Sequence, residues 1–445
     1  MKTTTSLKLV LSAIVIFLIQ SCQKDPVSSS NFNTSNFEST LARDWFTLQR
    51  RLIKETSGFT PPVAARSLGY AGVTFYQSVY QGMPGYQTLE GKINGLAEKT
   101  ITKVDSEKSY HWALVANAAM AEYYRNLFKT ASLANLQRID SVETAYIFKY
   151  KNDLDQTELN QSVAYGKLVG SQMYEYSKTY GQDEAYKTNF LAYVPATGPG
   201  KWVPTGSNAT PLQPYWGSVR PFLTTNITLS QPPPPPSYST APGSKFYTEA
   251  TEVYNTWKNL STSQKEIAQY WSDDPGKTST PAGHTMYIAT LVLEAERADL
   301  AKAAEVFCKT GIALHDAFIS CWKCKYDHNL IRPVSYIQQV IDPNFQTILV
   351  TPPFPEYTSG HSVQSAAGMT VLTEIFGNNY AFADFSNYGR TDINGSPRSY
   401  GSFLEAADQA AISRLYGGIH FRSSIENGVD QGKKIGSNTV KLKLK

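Results

Sequence analysis

Three short clusters in the last third of this 445-residue chain hold residue types that could do chemistry together. The first is Lys325-x6-Arg332-Pro333. Seven residues are about two helical turns, so both cations leave one face if the helix holds, although Pro333 favours a break near Arg332. Alone, the pair is also what a solvated basic face looks like. The second is Pro352-Pro353-Phe354-Pro355-Glu356-Tyr357-Thr358-Ser359-Gly360-His361, a rigid loop that delivers Ser359-Gly360-His361 to a helix start. Free N–H groups and the positive end of the helix dipole suit an anion there, Gly360 permits close approach, and His361 adds a proton donor in the working pH range. The plain alternative makes Thr358 or Ser359 an N-cap and His361 a surface histidine. The third is Ser413-Arg414-x5-His420, in which Gly417-Gly418 should end the helix so that His420 projects from the following turn. Its plain alternative is a helix-terminal arginine and a partly exposed histidine. Together they supply three cations, an N–H nest and two histidines, which a multiply charged tetrahedral oxyanion asks for. One histidine could bond the central atom while the other moves a proton.

Helical periodicity dominates the elements that must position these groups. It predicts helices at Phe37–Glu55, Pro62–Gln81, Ser109–Lys129, Leu133–Tyr150, Glu158–Tyr180, Tyr247–Trp257, Ser263–Trp271, His284–Lys325, Val334–Ile341, His361–Phe376 and Phe403–Tyr416. Alternating strand patterns are few and short, so the chain reads as mainly α. Residues 188–240 differ: they are rich in Pro and Gly and include the run Pro232–Pro236. Trp202, Tyr215 and Trp216 argue for a packed loop there. The expected organisation is a signal peptide at 1–21, a tether at 22–40, an N-terminal helical domain at 41–187, the Pro-rich linker at 188–240 and a C-terminal helical domain at 241–445 that holds the chemistry.

Lys2 and Lys8 precede the apolar run Leu9–Ile19, about half a bilayer span, which then meets Ser21-Cys22. This layout looks like a bacterial lipobox with Cys22 as the lipidated first residue, so the protein is expected to be exported and anchored to the cell envelope. Gln23 after Cys22 leans that expectation towards the outer membrane. The plain alternative is an ordinary signal peptide with an incidental cysteine. A net charge of +4 without a basic block beyond the terminal KLKLK excludes an electrostatically driven nucleic-acid binder. Cys308, Cys321 and Cys324 are too few for a disulfide scaffold and are read as core thiols.

The three clusters resemble the signature of the vanadium-dependent haloperoxidases and type-2 phosphatidic acid phosphatases. Pro61-Pro62-Val63-Ala64-Ala65-Arg66, Trp322-Lys323-Cys324-Lys325 and Pro352-Pro353-Phe354-Pro355 are similar to the haloperoxidase branch, the last two to chloroperoxidase-type sequences. The resemblance implies two helical bundles with the site in the C-terminal one, and vanadate bound through His420. It also implies that Lys325, Arg332, Arg414 and the N–H groups of Ser359 and Gly360 hold the oxygens, that His361 manages protons and that Lys325 polarises bound peroxide. Trp322 and Phe354 would line the halide pocket, with hydrogen peroxide and halide as substrates and the membrane touched only through the lipid. As a phosphatase, with no cofactor, the same residues would turn over a phosphate ester through a phosphohistidine at His420. A third reading is a non-catalytic anchored protein that binds an oxyanion or glycan.

This chain departs from the family pattern at two positions. Thr358 stands where Pro usually precedes Ser-Gly-His. Ser424 stands where many members place the Asp that orients the second histidine; Glu426 or a backbone carbonyl is the expected substitute. The remaining histidines, His111, His284, His315 and His328, are read as structural, with Asp316 a candidate partner for an arginine.

Overall fold

The computed structural model describes residues 33–179, 182–205 and 210–445. The expected signal peptide, Cys22 and most of the expected tether lie outside the described residues. Those described form fourteen α-helices, four short 3-10 turns and one two-stranded antiparallel hairpin, Phe382–Asp384 with Arg398–Tyr400. The helices are α1 Thr40–Glu55, α2 Pro61–Val79, α3 Trp112–Leu127, α4 Leu133–Tyr150, α5 Gln156–Lys178, α6 Thr224–Thr228, α7 Lys245–Lys258, α8 Thr262–Tyr270, α9 Thr280–Ala295, α10 Leu300–His328, α11 Pro333–Val340, α12 Gly360–Phe376, α13 Phe403–Tyr416 and α14 Arg422–Val440.

Local chemistry sets the boundaries. Pro61 opens α2, where its missing N–H costs nothing. Asp155, Ser261, Asp299 and Ser402 each cap a helix by accepting a backbone N–H, and Ser261 with Gln264 closes a full capping box. The single long helix expected over His284–Lys325 is two helices, α9 and α10, because residues 296–299 turn before Asp299 caps α10.

Helix α10 is the axis of the molecule. It is buried on nearly every face, its few buried polar side chains being held by partners. Its N-terminal half packs on α2, where a Cβ on Gly72 would meet the Phe307 carbonyl at 2.4 Å. Its C-terminal half faces α12, and a continuous apolar core runs from α1 and α2 through α10 to α12 and α13.

Helix α14 is absent from the sequence-based assignment. Its Gly428, Gly432 and Gly436 lower helix propensity, and only tertiary packing explains them. A Cβ on Gly432 would meet the Val363 carbonyl at 2.2 Å, so the glycine lets α14 lie directly on α12.

The Pro-rich segment is a packed strap. The Trp202 N–H donates to the Asn329 carbonyl (2.7 Å) and the Leu212 N–H to the Pro353 carbonyl (2.9 Å), which ties it to both motif loops. Tyr357 Oη donates to the Pro233 carbonyl. Further along, Asp316 on α10 accepts the N–H groups of Phe222 (2.8 Å) and Leu223 (2.9 Å) and the Asn226 amide (2.8 Å). Asp316 thus pins the strap, a role that the expectation of an arginine partner did not include. Asp316→Ala would leave three donors unsatisfied and should cost about 3 kcal/mol. Urea unfolding checks this, and an unchanged midpoint would contradict the pinning role.

Candidate active site

The cavity of about 210 Å³ that holds the motif residues lies at the C-terminal end of α10, between the start of α12 and the end of α13. Ser272, Asp273, Asp274, Gly360, His361, Arg414 and His420 line its polar side; Leu212, Phe318, Trp322, Phe354 and Ile419 line much of the rest. All three clusters therefore converge, though their members stand at different depths.

His420 is buried, and its partners settle its tautomer. Arg332 Nη1 lies 3.2 Å from His420 Nε2, and a guanidinium can only donate, so Nε2 is the acceptor. The proton then sits on Nδ1 and is donated to Glu356 Oε1 at 2.8 Å, the same oxygen that accepts the Phe421 N–H at 2.9 Å. Burial, then Arg332 and Lys325, hold the imidazole well below the usual histidine range, so it is neutral at pH 7 with its Nε2 lone pair turned to Arg332.

Glu356 is the functional residue the sequence reading missed. It sits in the Pro-rich loop, fully buried, and does what an Asp at position 424 would do. Ser424 Oγ still lies 3.4 Å from His420 Nδ1, as a secondary contact. Glu426, the expected substitute, is exposed and reaches only towards Arg422 at 3.9 Å. The available signal was charge balance: buried cations of one motif set need a carboxylate, and Glu356 is the acid inside that set.

Lys325 is buried and donates to the carbonyls of Pro355 (3.1 Å), Glu356 (3.0 Å) and Thr358 (2.6 Å). It holds the motif loop from behind, and does not line the cavity. Burial pushes its ammonium down to about 8. The helix carrying it ends at His328 with Asn329 in the left-handed conformation, so Arg332 leaves from the cap of α11, as the Pro333 break implied. Arg332 donates Nε to the Phe354 carbonyl (2.9 Å) and Nη1 to the Ile419 carbonyl (2.9 Å), while Nη2 is buried without a partner among the described residues. Arg414 is fixed by Ser413 Oγ (3.0 Å) and the Trp271 carbonyl (2.7 Å).

Ser359 corrects one expectation. Its N–H donates to the Ser424 carbonyl at 3.1 Å and its side chain caps α12 at the Ser362 N–H (3.3 Å), so it is not a free oxyanion donor. Gly360, the first residue of α12, lines the cavity, where its N–H has no intrahelical acceptor. His361 is half-buried on the cavity wall, and its Nε2 is shielded from solvent with no partner. Burial, with Arg414 and His284 nearby, holds it well below the usual range.

Trp322 and Phe354 lie against each other, 4.9 Å between ring centroids, with the Lys325 ammonium and Arg332 guanidinium each 5.0 Å from the Phe354 ring. Cys321 and Cys324 are buried free thiols and His315 is a buried structural histidine, as expected. His284 goes further than a structural reading. It bridges Asp273 (3.0 Å) and Asp384 (2.8 Å), and despite burial these carboxylates raise it to about 10.

The family model for the VCPO second helical-bundle domain matches residues 305–344 and 338–445. A crystal structure titled as the first bacterial vanadium-dependent iodoperoxidase superposes with a TM-score of 0.82 at 35% identity, covering 91% of this chain and 97% of that one. The chain belongs to the vanadium haloperoxidase family. Holo and apo bacterial vanadium-dependent chloroperoxidase structures share the fold, with TM-scores of 0.66 and 0.64 at 15% and 14% identity, covering 87% of this chain and 92% and 94% of theirs. No curated protein matches the sequence.

Glu356→Ala should weaken binding of inorganic phosphate, a tetrahedral oxyanion probe, by roughly tenfold to a hundredfold. Ser424→Asp added to that variant should restore part of it, because position 424 already touches Nδ1. Calorimetry reads both; unchanged affinity in Glu356→Ala would remove Glu356 from the site.

Proposed function

We propose that this protein oxidises halide, with iodide as the preferred ion, using hydrogen peroxide at a vanadate held on His420. The observation that carries the reading is a neutral, buried His420 on the wall of the cavity, its Nδ1 fixed by Glu356 and its Nε2 beside Arg332, with Arg414 on the same wall and Lys325 buried behind the motif loop. The residues fit an oxyanion: the orphaned Nη2 of Arg332 and the N–H groups at the start of α12 are donors without acceptors among the described residues. The choice of iodide is supported by the 35%-identical iodoperoxidase structure.

Vanadate, when bound, supplies a Lewis acid that activates hydrogen peroxide towards attack by halide. His420 would hold it through Nε2, with Arg332, Arg414, Lys325 and the Gly360 N–H offsetting its negative charge. His361, neutral at working pH, would take a proton from hydrogen peroxide at Nε2 and return one as hypohalous acid leaves. Trp322 and Phe354 would exclude water and meet the halide with an apolar wall. We further propose that Cys22 carries the lipid that anchors the mature chain to the cell envelope. No described helix is long and apolar enough to cross a membrane.

The test incubates the mature chain with orthovanadate, then measures peroxide-dependent oxidation of iodide, bromide and chloride beside phosphate-ester hydrolysis. Iodide oxidation that needs vanadate and disappears in His420→Ala is expected. Ester hydrolysis without halide oxidation would move the protein to the phosphatase reading, and silence in both to a binding protein. Activity should fall as pH rises through about 8, because the buried Lys325 ammonium then loses its charge and its hold on the oxyanion loop. A rate–pH profile flat to pH 10 would contradict that. Cys22→Ser should move the full-length protein from the detergent phase to the aqueous phase in a phase-partition assay.

A further inference from the structure

A second cavity, of about 430 Å³, opens on the far side of Asp273, which lines both cavities. One wall is a face of α1: Thr47, Arg50, Arg51 and Lys54 recur at helical spacing and all line it. Opposite stand Lys277, His284 and Arg390.

The acids of this region are already committed. Glu55 pairs with Arg51 at 2.9 Å, Asp392 with Arg390 at 2.8 Å and with Lys277 at 3.9 Å, and Asp273 and Asp384 with His284. Arg50 and Lys54, one turn apart, have no ion-pair partner among the described residues. The Arg50 guanidinium lies over the Tyr287 ring, 4.3 Å from its centroid, which leaves its N–H edge for an acceptor. Its Nε is shielded from solvent with nothing bonded to it. The rest of the guanidinium is only partly buried and lines the cavity without an acid to offset its charge, which an anionic ligand would do.

We propose that this cavity binds a small organic polyanion, a polycarboxylate or a phosphate or sulfate ester, with Arg50 as its principal contact and Lys54 as the second. The volume exceeds a lone ion's need, since a water occupies only about 30 Å³. Two cations one helical turn apart suit a ligand with two charged groups rather than a halide. The site is independent of whether the neighbouring cavity oxidises halide.

The test is calorimetric titration of the full chain with citrate, glycerol 3-phosphate and sulfate in chloride-free buffer at pH 7. Citrate or glycerol 3-phosphate should bind at a site that persists in His420→Ala, more tightly there than sulfate, and the two organic probes tell carboxylate from phosphate ester. Arg50→Gln should weaken that binding at least tenfold and Lys54→Gln several-fold, while His420→Ala leaves it unchanged. No binding of any probe at millimolar concentration, binding indifferent to both substitutions, or binding lost only in His420→Ala would overturn the proposal. Should Arg50→Gln fail to fold, exposed Lys54 carries the same test.

Discussion

Buried positive charge is the constraint on which the rest of the site depends. Lys325, Arg332 and Arg414 are removed from water, and among the described residues Glu356 is the buried carboxylate that the hydrogen bonds of Arg332 and His420 reach. Desolvation of unpaired ions costs several kcal/mol each, so such a cluster persists only if dipoles and a bound anion offset it. Backbone carbonyls supply the dipoles: those of Pro355, Glu356 and Thr358 surround Lys325, and those of Phe354 and Ile419 receive Arg332. What remains unmatched, the Arg332 Nη2 above all, is the demand that an oxyanion meets.

The architecture follows from delivering those carbonyls. The loop from Pro352 to Thr358 carries most of them, and it is fixed from three sides: by Lys325 on α10, by Arg332 at the cap of α11, and by the Pro-rich strap through Leu212 and Pro233. The strap is in turn pinned to α10 through Asp316. Close approach of α14 to α12, bought by its glycines, brings Ser424 under the same loop, where its carbonyl accepts the Ser359 N–H. The donor set is thus rigid before any ligand arrives, which is what electrostatic preorganisation requires.

Much of this was legible in the sequence because motif chemistry is local. Lys325, Arg332, Gly360, His361, Arg414 and His420 announce themselves by type and spacing, and periodicity located α4 and α13 to the residue. Other features depend on contacts between distant segments. Glu356 is unremarkable until α13 and the following turn bring His420 beside it, 64 residues away in sequence. The Ser359 N–H is engaged only because α14 lies on α12, and α14 is disguised by glycines that are favourable solely in that packing. The Asp273–His284–Asp384 bridge likewise joins three segments with no shared motif.

The central claim is that Glu356 fixes the tautomer of His420, with the proton on Nδ1 and the lone pair on Nε2, while burial and the neighbouring cations keep the ring neutral. Nitrogen-15 NMR of histidine-labelled protein at pH 7, with the His420 signals assigned by their loss in His420→Ala, tests it most directly. The account predicts a neutral ring with a protonated Nδ1 and an unprotonated Nε2. An imidazolium, or a neutral ring protonated at Nε2, would contradict it.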